Sequence, residues 1–251
     1  MAIPNISTLL QFLLFMNPSI NLHVNFKTEN CLIFDSNTSL PSFNRVCHNQ
    51  TPTTHEIEHI KDHFKKRPFT WFVKSKNKKQ RHLLEKNNLN YRGSFPLMTL
   101  NLNALKQPKK ASEGTITITV IDPTNAELLN QWSFIISQAF FLSQTELIAV
   151  VQHFNQLMHK HLKLYLGVHE GKAVTAGMLI QHDTTVTIHK MATLPEYRKK
   201  GFGTWLLYTM IHDAKQSGCK YAALFASQKG FSLYKRIGFK KHTLYDIYGN
   251  Y

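Results

Sequence analysis

From Thr115 to Tyr251 the apolar positions change period so regularly that they predict a sheet with helices laid against it. "TITITVI" (115–121) alternates and is β-branched, the pattern of a strand. "NAELLNQWSFIISQAF" and "TELIAVVQHFNQLMHKHL" carry apolar residues at helical spacing, with Thr145 and Glu146 opening the second. "KLYLGVHE" and "GKAVTAGMLIQHD" predict a hairpin turning at Glu170–Gly171, and "TTVTIHKMATL" predicts the next strand. A glycine-bearing loop leads into a helix reaching about Gln216. "KYAALFA", "QKGFSLYKRI" and "FKKHTLYDIY" then read as strand, short helix and strand. The order β-α-α-β-β-β-α-β-α-β predicts a mixed sheet flanked by helices.

The first hundred residues are less regular. "TWFVKS", "KKQRHLLEKN" and "NYRGSFPLMTLNL" read as strand, helix and strand. They echo the end of the chain: "LLEKNNLNY" (Leu83–Tyr91) matches "LYKRIGFKK" (Leu233–Lys241) in pattern and in its place between two strands. Residues 106–114, "KQPKKASEG", are the best linker, which predicts an N-terminal α/β unit over 1–110 and a second unit over 111–251. "LLQFLLFM" (Leu9–Met16) has no Lys or Arg before it, no close cleavage site, and too few residues to cross a bilayer. It is expected to be a buried amphipathic helix rather than a leader.

The chain holds 30 Lys and Arg against 15 Asp and Glu, a net charge of +15. The excess is uneven, with 16 basic and 6 acidic side chains in residues 1–110 against 14 and 9 in 111–251. Such a surface attracts anions of every kind and cannot choose among them. The run "KSKNKKQR" (Lys74–Arg81) raises nucleic-acid binding as a competing function, but no RNA- or DNA-binding signature accompanies it. Cys31, Cys47 and Cys219 are too few and too scattered for a disulfide framework or a zinc site, so a reducing, cytoplasmic setting and no metal are expected.

The stretch "YRKKGFGTWLL" (Tyr197–Leu207) combines three cations, two glycines one residue apart and a helix start. A helix beginning near Gly203 leaves unpaired N–H groups at the positive end of its dipole, and Gly201 and Gly203 let an anion approach the backbone. Arg198, Lys199 and Lys200 add charge, and Thr204 adds a hydroxyl. Neither the dinucleotide fingerprint nor the Walker form fits, since Leu206 stands where the third glycine would be. What stands here is Arg-x-x-Gly-x-Gly after a strand ending "MATLPEY". This resembles the acetyl-coenzyme A loop of the GNAT N-acetyltransferase superfamily, with its [R/Q]-x-x-G-x-[G/A] signature. "ASQKGFSLYKRIGF" (Ala226–Phe239) resembles that family's closing motif, and the likeness covers roughly residues 115–251.

The resemblance implies an α/β (α+β) fold: a mixed, mostly antiparallel GNAT sheet flanked by helices, preceded by a degenerate GNAT-like N-terminal α/β half. It implies transfer of an acetyl group from acetyl-CoA to a primary amine of a small molecule or peptide. No metal, membrane or specific nucleic acid is expected, and the chain is expected to be a monomer or homodimer. The backbone from Lys199 through Phe202 and Gly203 to Thr204 would hold the pyrophosphate, beside Arg198. Met191, Ala192 and Thr193 would line the pantetheine arm, where the strand splays from its neighbour. Tyr234 would be the general acid. Strand alternation is expected to put His189 on the same face as Met191, as candidate base, with Glu146, His182 and His153 behind it. Ser227 stands where many relatives carry Asn, and would cap the last helix. Leu84 would occupy the place of Tyr234 in the N-terminal echo. A coenzyme A-binding scaffold without catalysis is the further alternative, against which the retained Tyr234 stands.

Overall fold

The computed structural model describes residues 26–27, 31–48, 50–105, 116–158 and 160–251. The expected helix at Leu9–Met16 and the expected linker at 106–114 lie outside these. The N-terminal strands are β1 (Phe26–Lys27), β2 (Cys31–Phe34), β3 (Arg45–His48), β4 (Thr70–Lys74) and β5 (Asn90–Asn101), with helices α1 (Thr54–Phe64) and α2 (Lys78–Lys86) between them. Next come β6 (Thr117–Ile121), α3 (Ala126–Phe140), α4 (Gln144–Met158), β7 (Leu162–His169), β8 (Lys172–His182) and β9 (Thr185–Thr193). The chain closes with α5 (Phe202–Gln216), β10 (Tyr221–Phe225), α6 (Gln228–Ile237) and β11 (Lys240–Gly249).

All these strands form one sheet in the order β1-β2-β3-β4-β11-β5-β10-β9-β8-β7-β6. Only the β3–β4 and β9–β10 ladders are parallel; the other eight are antiparallel. This is the mixed, mostly antiparallel, helix-flanked sheet that the element order and the family resemblance imply. The two ends of the chain interlock. β5 lies between β10 and β11, and β11 lies between β4 and β5. Each half of the chain therefore completes the sheet of the other.

An internal two-fold relates the halves. Asn77 and Ser227 cap α2 and α6, Leu84 and Tyr234 are buried on them, and Asn88 and Gly238 end them with positive φ; each pair is 150 residues apart. The β5–β11 register obeys the same relation. Asn90 faces Gly249 and Thr99 faces Lys240, while Phe95 faces Tyr245, its own counterpart, on the axis. The sequence echo at Leu83–Tyr91 is one visible stretch of this duplication.

Side-chain alternation along the strands supplies both faces of the sheet. On one face Leu97, Phe72, Ala176, Met178, Ala192 and Tyr245 pack under α3 and α4, through Trp132, Ile136, Leu147, Val151 and Phe154. On the other, α5 and α6 cover Met98, Ile188, Ala222 and Leu224. The same face under α1 and α2 buries Ile33, Val46, Trp71 and Tyr248. No helix among the described residues is long and apolar enough to cross a membrane.

Candidate active site

The β9–β10 ladder runs from Thr185/Tyr221 to Thr187/Ala223 and stops there. β10 continues to Phe225 against β5, while β9 continues to Thr193 against β8. The two strands therefore part, leaving a slot at their C-terminal ends. Leu194 N–H donates to Val174 O (3.0 Å) and Thr175 Oγ1 donates to Ala192 O (2.6 Å), both toward β8. By alternation the main chain of Thr193 faces the slot, where its carbonyl accepts from Arg198 Nε at 3.0 Å.

Within the slot strand the register slips. Ala176 faces Ala192, but Met178 faces His189, so two residues, Lys190 and Met191, oppose Gly177 alone. Lys190 takes φ 50° to make this bulge.

After β9 the chain turns through Pro195–Tyr197 into the basic loop, where Lys199 (φ 62°) and Gly201 (φ 88°) are left-handed. Gly201 is the N-cap of α5 and supplies no side-chain cap. The first-turn N–H groups thus point outward at the positive end of a fifteen-residue helix. Thr204 N–H is the exception, donating to Gly201 O at 2.9 Å. Gly201 has open space around its missing Cβ and needs glycine for its φ, whereas a Cβ at Gly203 would lie 3.3 Å from Thr193 Oγ1. Arg198, Lys199 and Lys200 are exposed. Phe202 is buried and stacks obliquely on His169, 4.8 Å between centroids, so its side chain anchors the loop.

Tyr234, on α6, is 8% exposed and belongs to the apolar cluster against which Met191 packs. Burial pushes its phenol up to about 12, so it stays protonated throughout the physiological range. Its ring lies across Gly230, one helical turn earlier, where an added Cβ would be 2.7 Å from Cε2. Ser227 caps α6, its Oγ accepting from Gly230 N–H at 3.2 Å.

His189 corrects the alternation argument. The bulge at Lys190 absorbs one residue, so His189 shares the face of Met178 and Ala192 while Met191 packs on the opposite face with Tyr234. His189 is 9% exposed, with Nε2 3.0 Å from Thr187 Oγ1. Burial, then Arg45 and Lys190, hold its pKa well below 6.5. Glu146 is engaged by Ser39, accepting from its N–H at 2.8 Å and from its hydroxyl. His182 pairs with Asp183 at 3.1 Å and faces Thr185, at the end of β9 away from the slot. His153 is exposed on α4. Among the described residues no group of three His, Cys, Asp or Glu could hold a metal ion.

Residues 129–239, which contain the slot, the loop and Tyr234, match the family model of the Acetyltransferase (GNAT) family. This segment is a GNAT domain. No curated protein matches the chain. Among solved structures, a functionally unknown conserved protein from Staphylococcus epidermidis ATCC 12228 is 14% identical, with a TM-score of 0.68 over 92% of this chain and 94% of that one. A GCN5-related N-acetyltransferase from Kribbella flavida is 14% identical, with a TM-score of 0.65 over 88% and 86%. One from Sphaerobacter thermophilus is 15% identical, with a TM-score of 0.61 over 87% and 75%. These alignments span both halves, and at such identity they show the shared fold.

GNAT domains normally use acetyl-CoA, and the residues present fit it. The helix start at Gly201 lacks a cap of its own and would take a pyrophosphate, while the unpaired edge of β9 would take an amide-bearing arm as an added strand. The two-fold-related position fits neither. There α1 opens with a capping box, Thr53 and Glu56 bonding each other's N–H groups. The β3–β4 ladder occupies Arg45 to Cys47 of a strand that ends at His48, and Leu84 replaces Tyr234. Gly230 went unread in the sequence, although its i−4 spacing from Tyr234 is the available signal. Arg45 and Lys190 come together beside His189 only in the fold.

Proposed function

We propose that this chain transfers an acetyl group from acetyl-CoA to a primary amine by direct attack. The observation that carries this reading is the parting of β9 from β10 beside an uncapped helix start. Bound there, acetyl-CoA supplies an acyl carbon open to attack and a thiolate leaving group.

The loop amides from Lys199 to Gly203, with the positive end of α5, hold the pyrophosphate. Met191 and Thr193 pair through their main chain with the pantetheine arm, directing the thioester into the slot. His189 lies on the α3–α4 face and Tyr234 on the α5–α6 face, which supports separate duties. His189, neutral at physiological pH, accepts the proton that the amine loses as its nitrogen bonds to the acyl carbon. As the carbon–sulfur bond breaks, the Tyr234 hydroxyl donates to the departing sulfur. A free thiol has a pKa of about 8.5, so a phenol near 12 acts chiefly as a hydrogen-bond donor to the thiolate rather than surrendering its proton.

Free-thiol release from acetyl-CoA, measured over a panel of amines, tests the reading. Tyr234→Phe is expected to keep coenzyme affinity and lower turnover by roughly 10²–10⁴-fold. Tight binding with no thiol release above hydrolysis for any amine would instead support a coenzyme-binding scaffold.

A further inference from the structure

The outer face of α5 carries an aromatic ladder where a polar surface is the rule. Phe202, Leu206, Leu207, Met210 and Ile211 turn inward and are buried. Trp205, Tyr208 and His212 fall on the opposite side by helical spacing, the side on which a surface helix ordinarily presents polar residues. All three are half-buried, and their rings lie on one another. Trp205 and Tyr208 are 6.1 Å apart between centroids with 19° between planes, and Tyr208 and His212 are 5.9 Å apart with 26°. Such spacings belong to offset stacks.

The ladder climbs toward the basic loop and stops one rung short of it. Helical side chains lean toward the N-terminus, so the Trp205 ring lies over the first turn of α5. The next rung would come from the residue three or four positions earlier. Phe202 is buried against His169 on the inner side, and Gly201 has no side chain to offer. An added Cβ at Gly201 would meet no atom within 4 Å, the Trp205 ring included, and φ 88° there favours glycine. The neighbouring cations point elsewhere: Arg198 Nε donates to Thr193 O, and Lys200 Nζ stands 5.2 Å from the centroid of the Tyr197 ring. The N-terminal end of the ladder thus has a place for one more flat ring, beside the amides assigned to the pyrophosphate.

The coenzyme carries such a ring at the same end as its pyrophosphate. Adenine is joined to that group through one ribose, whereas the acyl group lies at the far end of the pantetheine arm. With the pyrophosphate on the loop and the arm running along β9 into the slot, the base leads away from the slot, and the first ring it meets on α5 is Trp205. We propose that Trp205 is the platform on which the adenine of the coenzyme stacks, extending the Trp205–Tyr208–His212 ladder by a fourth ring. This rests on the coenzyme reading given above and adds a binding residue that the loop signature does not contain. Tyr208 and His212 back the indole and hold its plane.

Two ligands and one spectroscopic signal test this on the full chain. Acetyl-CoA carries the adenine; S-acetyl-4′-phosphopantetheine carries the same thioester arm and a phosphate without it. The chain has three tryptophans, and Trp71 and Trp132 are fully buried, so a base bound at the surface reports through Trp205. Acetyl-CoA is expected to quench indole emission on binding, and acetyl-phosphopantetheine is expected to bind without quenching. By calorimetry, Trp205→Ala is expected to weaken acetyl-CoA about 5–150-fold, the range of one base–aromatic stack, and to leave acetyl-phosphopantetheine affinity unchanged. Trp205→Phe is expected to keep most of the affinity and to lose the quench. Saturating acetyl-CoA with no change in the emission of the wild-type chain would overturn the platform without any variant, so a misfolded mutant does not protect it. Equal weakening of both ligands in Trp205→Ala would overturn it too, since the indole would then only shape the loop. In either case acetyl-CoA still binds and the coenzyme reading stands. Failure of the wild-type chain to bind either ligand would overturn that reading and the platform with it.

Discussion

Gly230→Ala offers a sharp test of how the site is built, because one methyl group pushes one ring. The added Cβ would lie 2.7 Å from Tyr234 Cε2 and 3.3 Å from Ser227 Oγ. Ordinary carbon–carbon contact is about 3.5–4.0 Å, so the Tyr234 ring must withdraw by about 1 Å. The change in fold stability is small. Alanine gains up to ~1 kcal/mol over glycine in a helix, and an off-rotamer ring costs roughly the same. Tm is therefore expected to stay within a few degrees and coenzyme affinity to stay unchanged. Turnover is a different matter, since a displacement of about 1 Å in a positioned group can cost about 10²-fold. Steady-state kinetics on Gly230→Ala, Tyr234→Phe and the double variant decide the cause. If the methyl acts by moving the hydroxyl, it lowers kcat in the wild-type background and does nothing further once the hydroxyl is gone. An equal loss in both backgrounds, or full turnover in Gly230→Ala, refutes the reasoning.

Gly203→Asp sets a carboxylate against the pyrophosphate and is expected to weaken coenzyme binding at least tenfold by calorimetry. Gly201→Ala, in open space but at φ 88°, is expected to cost about 1–2 kcal/mol of stability, read by denaturant unfolding. Because His189 is held well below its ordinary pKa, it stays neutral as pH falls through 6.5, so protonation of His189 should not limit kcat/KM until well below that pH. His189→Ala is expected to lower the rate at neutral pH and to recover in part at high pH, where the amine loses its proton unaided. Residues 111–251 expressed alone are expected to show no cooperative unfolding transition, since β11 then loses both of its neighbours, β4 and β5; adding residues 1–110 is expected to restore it. Calorimetry on the full chain is expected to give one coenzyme per chain.

The parts of the site that were legible in sequence are those whose chemistry is local. Arg198 to Thr204 encode an uncapped helix start with a left-handed glycine, and short-range rules suffice to read it. The elements from β6 to β11 follow from periodicity, and α2 with its flanking strands likewise. α1 is written in the sequence too, in Thr53 and Glu56 of a capping box and in Ile57, Ile60 and Phe64 at helical spacing, although the first hundred residues are otherwise less regular than the rest. The bulge at Lys190 could not be found by alternation, because a bulge is an exception to alternation that only the partner strand reveals. The exchange of β5 and β11 is likewise a matter of long-range pairing, invisible to any window of residues. The convergence of Arg45 with Lys190 depends on both.

The two halves show how little separates a copy of the fold that fits a coenzyme from a twin that does not. Both carry strand, helix, parallel strand, helix and exchanged strand in the same order around one axis. They differ where chemistry would occur. In the N-terminal copy the carboxylate of Glu56 occupies the helix start that an anion would need, β3 ends too soon to part from β4, and Leu84 fills the place of a hydroxyl. Each change favours stability: a capped helix, a closed ladder, an apolar core. The C-terminal copy forgoes all three, with its bare helix start at Gly201, its six residues of β9 beyond the last β10 pair and its buried phenol. An uncapped N-terminus and an unpaired strand edge are destabilising in an isolated domain. Here β5 and β11, exchanged across the axis, continue the sheet on the β10 side of that gap, so the N-terminal half contributes a strand to the sheet in which the gap lies.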